Sequence, residues 1–333
     1  MTGGRRHGLL LGGLAALVGA LFTASLLTGP APIGAREELA ALLRPQGDLL
    51  AIVMHELRLP RAILGALVGA SLGLAGAALQ GFLRNPLAEP GLVGTSASAA
   101  LGAVLAIQTG LAATMPLATL VAALAGALVS VLLILLLAGL NQGSLPLILA
   151  GIALSALAGA ATSLVLNLSP NPFAANEIIF WMMGSLADRS MLHVATTLPF
   201  FLAGALLLLW TGRGLRALTL GEDAAASMGI PLGRLRLAVV AGTAALVGSA
   251  TAVAGAIGFV GLVVPHLLRR AVGADPARLM PASALGGAAV VLAADVAVRL
   301  IVPDRDLKLG VLTALVGAPF FLHLIYRTRR EGL

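Results

Sequence analysis

The chain has no cysteine and a single lysine, Lys308, in 333 residues. Without cysteine it can form neither disulfides nor thiolate metal sites. A Walker-type phosphate loop needs Gly-Lys-Ser or Gly-Lys-Thr, and Lys308 lies between two leucines, so the chain cannot grip nucleotide in that manner. Charged residues are scarce, at 11% of the chain, which leaves too little polar surface to wet a soluble domain. A membrane enzyme would need ionisable groups converging at one depth. The one acid expected inside the bilayer is Asp295, and no HExxH motif occurs. The same scarcity counts against an ion-coupled secondary transporter, which usually carries buried carboxylates along its path.

What the chain has instead is apolar length, with 59% hydrophobic residues. A helix crossing a bilayer takes about 20 mostly apolar residues. Ten such stretches are legible, at 8–29, 62–82, 92–107, 115–140, 145–168, 192–212, 235–255, 259–268, 279–302 and 309–326. The expected fold class is an all-α polytopic membrane protein with ten transmembrane helices, forming a single transmembrane domain over residues 1–333. The eighth stretch contains Pro265 and is too short to span alone, so it is expected to pack inside protein, where broken backbone is tolerated. The first follows Arg5 and Arg6 as a secretory signal would, but about 22 apolar residues suit a retained helix better than a cleaved core of 7 to 15. The polar stretches 30–61 and 213–236 read as connectors.

Basic residues flanking spans tend to stay cytoplasmic. With both termini inside, thirteen basic residues fall in cytoplasmic segments and eight outside. The high isoelectric point therefore reflects topology, and no nucleic-acid partner is expected.

Gly65, Gly69 and Gly73 recur every four residues on one face of the second span, where backbones can approach closely. Helix contact within one bundle is the expected use, and a dimerisation face the alternative. Three segments depart from plain spans. Residues 220–231 read LGEDAAASMGIP. Glu222 and Asp223 sit where a helix N-terminus favours negative charge, and Gly229 and Pro231 form a stop, so a short cytoplasmic helix is expected. Residues 174–188 are too apolar for a solvated loop and too short to cross and return, and read as a half-embedded outer helix. The third segment, GAIGFVGLVVPH at 255–266, has the glycines and proline of a discontinuous helix, a common feature of transport pathways.

Five phrases, RNPLAEPGLVG, WMMGSL, GAIGFVGLVVPHLLRR, GADPARLMPASALGGA and LGVLTALVGAPFF, occur in that order. Together they closely resemble the FecCD-type permease subunits of bacterial ABC importers, the group that carries iron chelates, heme and cobalamin. The resemblance runs over residues 57–326. It implies the type II ABC importer permease fold, multi-pass in the bacterial inner membrane, and pairing with a second copy of the chain. Two cytoplasmic ATPase subunits, holding ATP and magnesium, and a periplasmic substrate-binding protein complete such a transporter. The chain itself would be a transport subunit rather than an enzyme, with no cofactor or metal of its own.

By the same resemblance, Glu222, Asp223, Ala224, Ala225, Ala226, Ser227, Met228 and Gly229 form the helix that couples to the ATPase, small side chains letting it seat in a groove. Arg58, Arg61 and Arg299 receive carboxylates of the binding protein as bidentate pairs. The plainer use of each is an arginine snorkelling at a helix end, and Arg299 can also pair with Asp295, four residues earlier. Asn85, Leu87, Ser144 and Leu145 match positions that narrow the cytoplasmic exit. The pathway is expected along span five and the insert after it, with contributions from spans three, eight and ten. Met182 and Met183 could be soft contacts to a heme or corrin, although methionine in a bundle is more often filler. His193 and His266 read as structural. The expected cargo is an iron chelate, heme or a ferric siderophore, with cobalamin as the alternative. One departure stands out: where many members read Glu-Leu-Pro before the last helix, this chain has Asp306, Leu307 and Lys308.

Overall fold

The computed structural model describes residues 3–29, 34–44, 48–115, 117–139, 144–301 and 307–330. Among these residues all extended regular structure is helical. Helices fall on each expected span, and we label them α1 (Gly3–Leu27), α2 (Leu59–Phe82), α3 (Thr95–Gln108), α4 (Ala118–Ala138), α5 (Ser144–Asn167), α6 (Met191–Trp210), α7 (Leu232–Ala254), α8 (Val260–Arg269), α9 (Pro276–Ile301) and α10 (Leu309–Arg330). Seven of the described helices are long and apolar enough to cross a membrane; α3, α8 and the apolar part of α10 are shorter.

The core is built where side chains are smallest. A Cβ at Gly69 would run into the Gly287 carbonyl, one at Gly73 into the Ser283 carbonyl, and one at Gly76 into the Gly261 carbonyl. The glycine row thus lets α2 lie backbone to backbone on α9 and α8, with close packing replacing the hydrophobic drive that lipid cannot supply. Gly65 is looser, its missing Cβ facing only the Leu292 and Leu186 side chains. The contact is within one bundle, as the plainer expectation had it.

The stretch 30–61, expected as a connector, is largely helical where it is described. Ala35–Ala41 and Leu49–Ile52 are α-helices, and a π-helical turn over Val53–Arg58 runs without a break into α2. Asp48 opens this extension by accepting the Leu50 N–H at 3.4 Å. The wide turn comes just before Pro60, whose ring would otherwise crowd the carbonyl four residues back, and so lets the helix continue through a proline. His55, Glu56, Arg58 and Arg61 make this segment look like a solvated loop in sequence; Arg58 and Arg61 are paired inside the fold, and Glu56 stays exposed.

Between α7 and α8 the helix is interrupted, as the glycine-rich 255–266 stretch predicts. Gly255 and Phe259 take left-handed φ values of 69° and 67°, and the residues between them are not helical. The outer insert forms a helix at Pro172–Met182, slightly ahead of the expected 174–188. Asn171 caps it through the Phe173 N–H at 3.0 Å and Pro172 occupies its first position, where a missing N–H costs nothing. The insert then turns at Gly184, with φ of 77°.

Candidate functional site

At one end of the bundle lie the elbow after α2, the start of α5 and the short helix Glu222–Ser227. Arg84, Leu145 and residues 220–224 line one open cleft of about 690 Å³. Leu145, one of the four residues expected to narrow the exit, thus lies beside the segment expected to couple, and Asn85 and Leu87 do not line that cleft. In the elbow, Asn85 and Leu87 are exposed, and the Asn85 Oδ1 accepts the Leu87 N–H at 2.9 Å. Ser144 is the first residue of α5, and its side chain lies outside the described part.

The short helix ends as its sequence predicts. Gly229 adopts φ of 81°, the Ile230 N–H reaches the Ala225 carbonyl and the Gly229 N–H the Ala226 carbonyl, a Schellman closure. Its residues divide between two faces. Asp223, Ala226, Ser227, Met228 and Gly229 are exposed, Glu222 and Ala224 are half-buried, and Ala225 is fully buried against the rest of the bundle. Ala225 therefore anchors the helix and is not available to seat in a partner's groove. Behind it, Arg216 of the helix Gly212–Leu218 grips Asp275 with two bonds, Nε to Oδ1 at 3.1 Å and Nη2 to Oδ2 at 2.6 Å.

The opposite end holds the three arginines picked out in the sequence. Arg58 is buried, at 6% exposure, and donates to Glu38 Oε1 and to the Leu26 carbonyl, each at 2.8 Å. Asp295, 1% exposed, takes Arg61 Nε on Oδ1 at 2.9 Å and Arg299 Nη2 on Oδ2 at 2.6 Å. Arg299 Nη1 also donates to the Ser25 and Thr28 carbonyls at the end of α1. The structure brings the set together, yet gives every guanidinium a partner within the chain. Sequence reasoning anticipated the Arg299–Asp295 pair, whereas Arg58–Glu38 and Arg61–Asp295 join residues 20 and 234 positions apart. The available signal was a lone carboxylate in a span, which requires a cation nearby.

Met182 and Met183 face a mainly apolar recess of about 540 Å³ shared with Gly310, Ala314 and Pro319 of α10. No group of three or more His, Cys, Asp or Glu side chains among the described residues could hold a metal ion there or elsewhere. His193 is occupied locally, its Nδ1 taking the Ser190 N–H at 3.3 Å to cap α6. Lys308 lies 5.5 Å from the Phe180 ring centroid of the outer helix, a cation–π contact that gives this unusual rim residue a place. Asp306 lies outside the described residues.

A helical bundle with seven helices of membrane-crossing length and apolarity, a broken helix and a short connector helix at one end defines a polytopic, all-helical membrane protein among the described residues. The chain belongs to the FecCD transport family, whose model matches residues 17–327. It is 41% identical to the cobalamin import system permease protein BtuC of Halobacterium salinarum, over 82% of this chain and 73% of that one. Identity to the hemin transport system permease protein HmuU of Yersinia pestis is 40%, over 85% and 86% of the two chains. Among solved structures, a metal-chelate type ABC transporter in an inward-facing conformation superposes with a TM-score of 0.85 at 32% identity, covering 96% of this chain and 99% of that one.

Proposed function

We propose that the chain is the membrane-spanning subunit of an ATP-driven importer that carries an iron chelate, heme or a ferric siderophore, from a periplasmic binding protein into the cytoplasm. One observation carries this reading: a small-residue helix with an exposed face sits beside the elbow of a bundle that has no nucleotide loop of its own. Two copies of the chain would enclose the path, with the recess around Met182, Met183 and α10 on its wall. Apolar walls without ligating clusters suit a bulky chelate that must be released, since strong ligation would hold it.

Two cytoplasmic ATPase subunits would grip the exposed Asp223, Ala226, Ser227, Met228 and Gly229, while Asn85, Leu87, Ser144 and Leu145 narrow the exit nearby. The binding protein would dock at the other end. Its carboxylates would there compete with Glu38 and Asp295 for Arg58, Arg61 and Arg299, and Arg61 is the most accessible of the three, with 22% of its side chain exposed. This orientation places both termini in the cytoplasm. Cobalamin is the second reading, favoured by the similar identity to the cobalamin permease of Halobacterium salinarum.

Proteoliposomes test both. Hemin and cyanocobalamin are offered to vesicles holding the permease alone, the permease with its cognate ATPase, and that complex with the binding protein. Accumulation of hemin only in the complete system with ATP is the expected result. Uptake of cyanocobalamin alone would select the second reading, and uptake by the bare permease under an ion gradient would overturn both.

A further inference from the structure

The geometry points to Gln80 as the positioning residue that ties the cytoplasmic elbow to α8 and, through it, to the coupling helix. This rests on the proposed roles of the elbow as exit and of residues 222–229 as the ATPase contact. Gln80 sits in the last turn of α2, 1% exposed, and both ends of its amide are used. Its Nε2 donates to the Ala88 carbonyl in the elbow at 3.4 Å and to the Leu262 carbonyl in α8 at 3.2 Å. Its Oε1 accepts from Arg269 Nη2 at 2.7 Å. Among the described residues Arg269 has no carboxylate partner, and its Nε is buried without any. Among the described residues this half-buried guanidinium thus has one hydrogen-bond partner, a neutral amide.

The elbow needs holding. Arg84 adopts φ of 50°, a left-handed conformation that costs a residue with a Cβ, and the next N–H, that of Asn85, returns to the Gln80 carbonyl at 3.1 Å. At the far side of the elbow, Glu89 Oε1 accepts the Phe259 N–H at 3.4 Å, at the other end of α8. The elbow is thus fastened to α8 at both ends of that helix and should move with it.

From Arg269 the connection continues to the coupling helix through stiff links. Residues 270–274 form a turn closed by the Ala274 N–H on the Arg269 carbonyl at 2.9 Å, and Asp275 follows directly. Asp275 is held by the two-bonded Arg216 contact on Gly212–Leu218, and the Gly221 N–H on the Leu218 carbonyl at 3.0 Å joins that helix to Glu222–Ser227. A displacement of the coupling helix would therefore reach the elbow through two polar joints, Arg216–Asp275 and Arg269–Gln80, rather than through the lipid-facing helices. Spatial continuity alone does not establish coupling; non-additive behaviour of the two joints does.

Because the chain lacks cysteine, Leu87→Cys supplies one reporter per copy for a spin label, read in the permease–ATPase complex in lipid nanodiscs with and without ATP and vanadate. Gln80→Glu keeps a partner for Arg269 but turns the donor to Ala88 and Leu262 into an acceptor. It should cut the ATP-driven change at residue 87 by at least about threefold, while ATP hydrolysis stays within about twofold of the parent. Arg216→Ala should do the same, and the double variant should lose no more than the worse single variant. Gln80→Asn, which shortens the amide but keeps its donors, should lie between the parent and Gln80→Glu. An undiminished response in Gln80→Glu, additive losses in the double variant, or hydrolysis falling in step with the response would each overturn the assignment. A parent complex that imports cargo yet shows no change at residue 87 would also overturn it while leaving the importer reading intact. An unlabelled complex with Leu87 intact that imports nothing would remove both.

Discussion

At the residue scale, the end that holds Arg58, Arg61 and Arg299 shows how a few charges survive in an apolar bundle. Asp295 is shared by Arg61 and Arg299, and both cations lose their buried counter-charge if it is removed. Breaking one side of a buried pair costs about 3–5 kcal/mol, more than the net worth of an intact pair. Asp295→Ala should therefore lower the unfolding midpoint of the purified permease steeply. Asp295→Asn, which still offers a carbonyl oxygen, should lose less, and equal losses would contradict the shared-carboxylate account. Residue identity alone was a partial guide. The Arg299–Asp295 pair follows from four-residue spacing on a helix, whereas Glu38 as the partner of Arg58 depends on the short helix Ala35–Ala41, which no periodicity announces. Ala225 is a similar case: its inward face is invisible in a run of three alanines.

At the element scale, glycine spacing made the α2 contact legible and composition concealed the extension before it. The Gly69–Gly73 face can be tested by a comparison within one helix. Gly73→Ala forces a methyl into the Ser283 carbonyl and should destabilise by more than about 2 kcal/mol, as other backbone-level overpacking does. Gly65→Ala meets only movable leucine side chains at 3.2 and 3.4 Å and should cost clearly less. Thermal unfolding in detergent reads both, and a reversed order would refute the meshed contact. The Arg216–Asp275 joint predicts a pH dependence. Burial pushes the Asp275 carboxyl up, but hydrogen bonds from Arg216 and the Ala277 N–H, with the charges of Arg216 and Arg278, outweigh it and hold the carboxyl below its ordinary value. A group lowered on folding stabilises fully above its unfolded pKa and loses that contribution as pH falls through the folded one. The unfolding midpoint should thus carry a component lost below about pH 4, worth under about 1 kcal/mol because Arg216 is half exposed. Asp275→Asn should lack that component and otherwise follow the parent's pH profile.

At the scale of the whole molecule, the order of the apolar helices was readable because apolar length is a direct consequence of bilayer thickness, although seven of the described helices, not ten, have the length and apolarity to cross. Which helices lie inside was not readable from apolarity. The most apolar span, α4, is only 33% buried, whereas the alanine-rich α7 is 83% buried. In lipid the interior is selected by small side chains rather than greasy ones. Orientation, inferred from arginine placement, can be checked with the cysteine-free background. Ala226→Cys should react with a membrane-impermeant maleimide only in inside-out vesicles, and Phe173→Cys only in right-side-out ones, both residues being exposed in the fold. The converse pattern would invert the topology.

The backbone-to-backbone seating of α2 on α9 has a mechanical corollary. Two cylinders interlocked through carbonyls and missing methyls cannot slide along one another; they would first have to lift apart across most of their length. Alternating access, as the proposed transport requires, would therefore have to spare that pair, which acts as a keel, and be borne by the thinly covered helices hung around it.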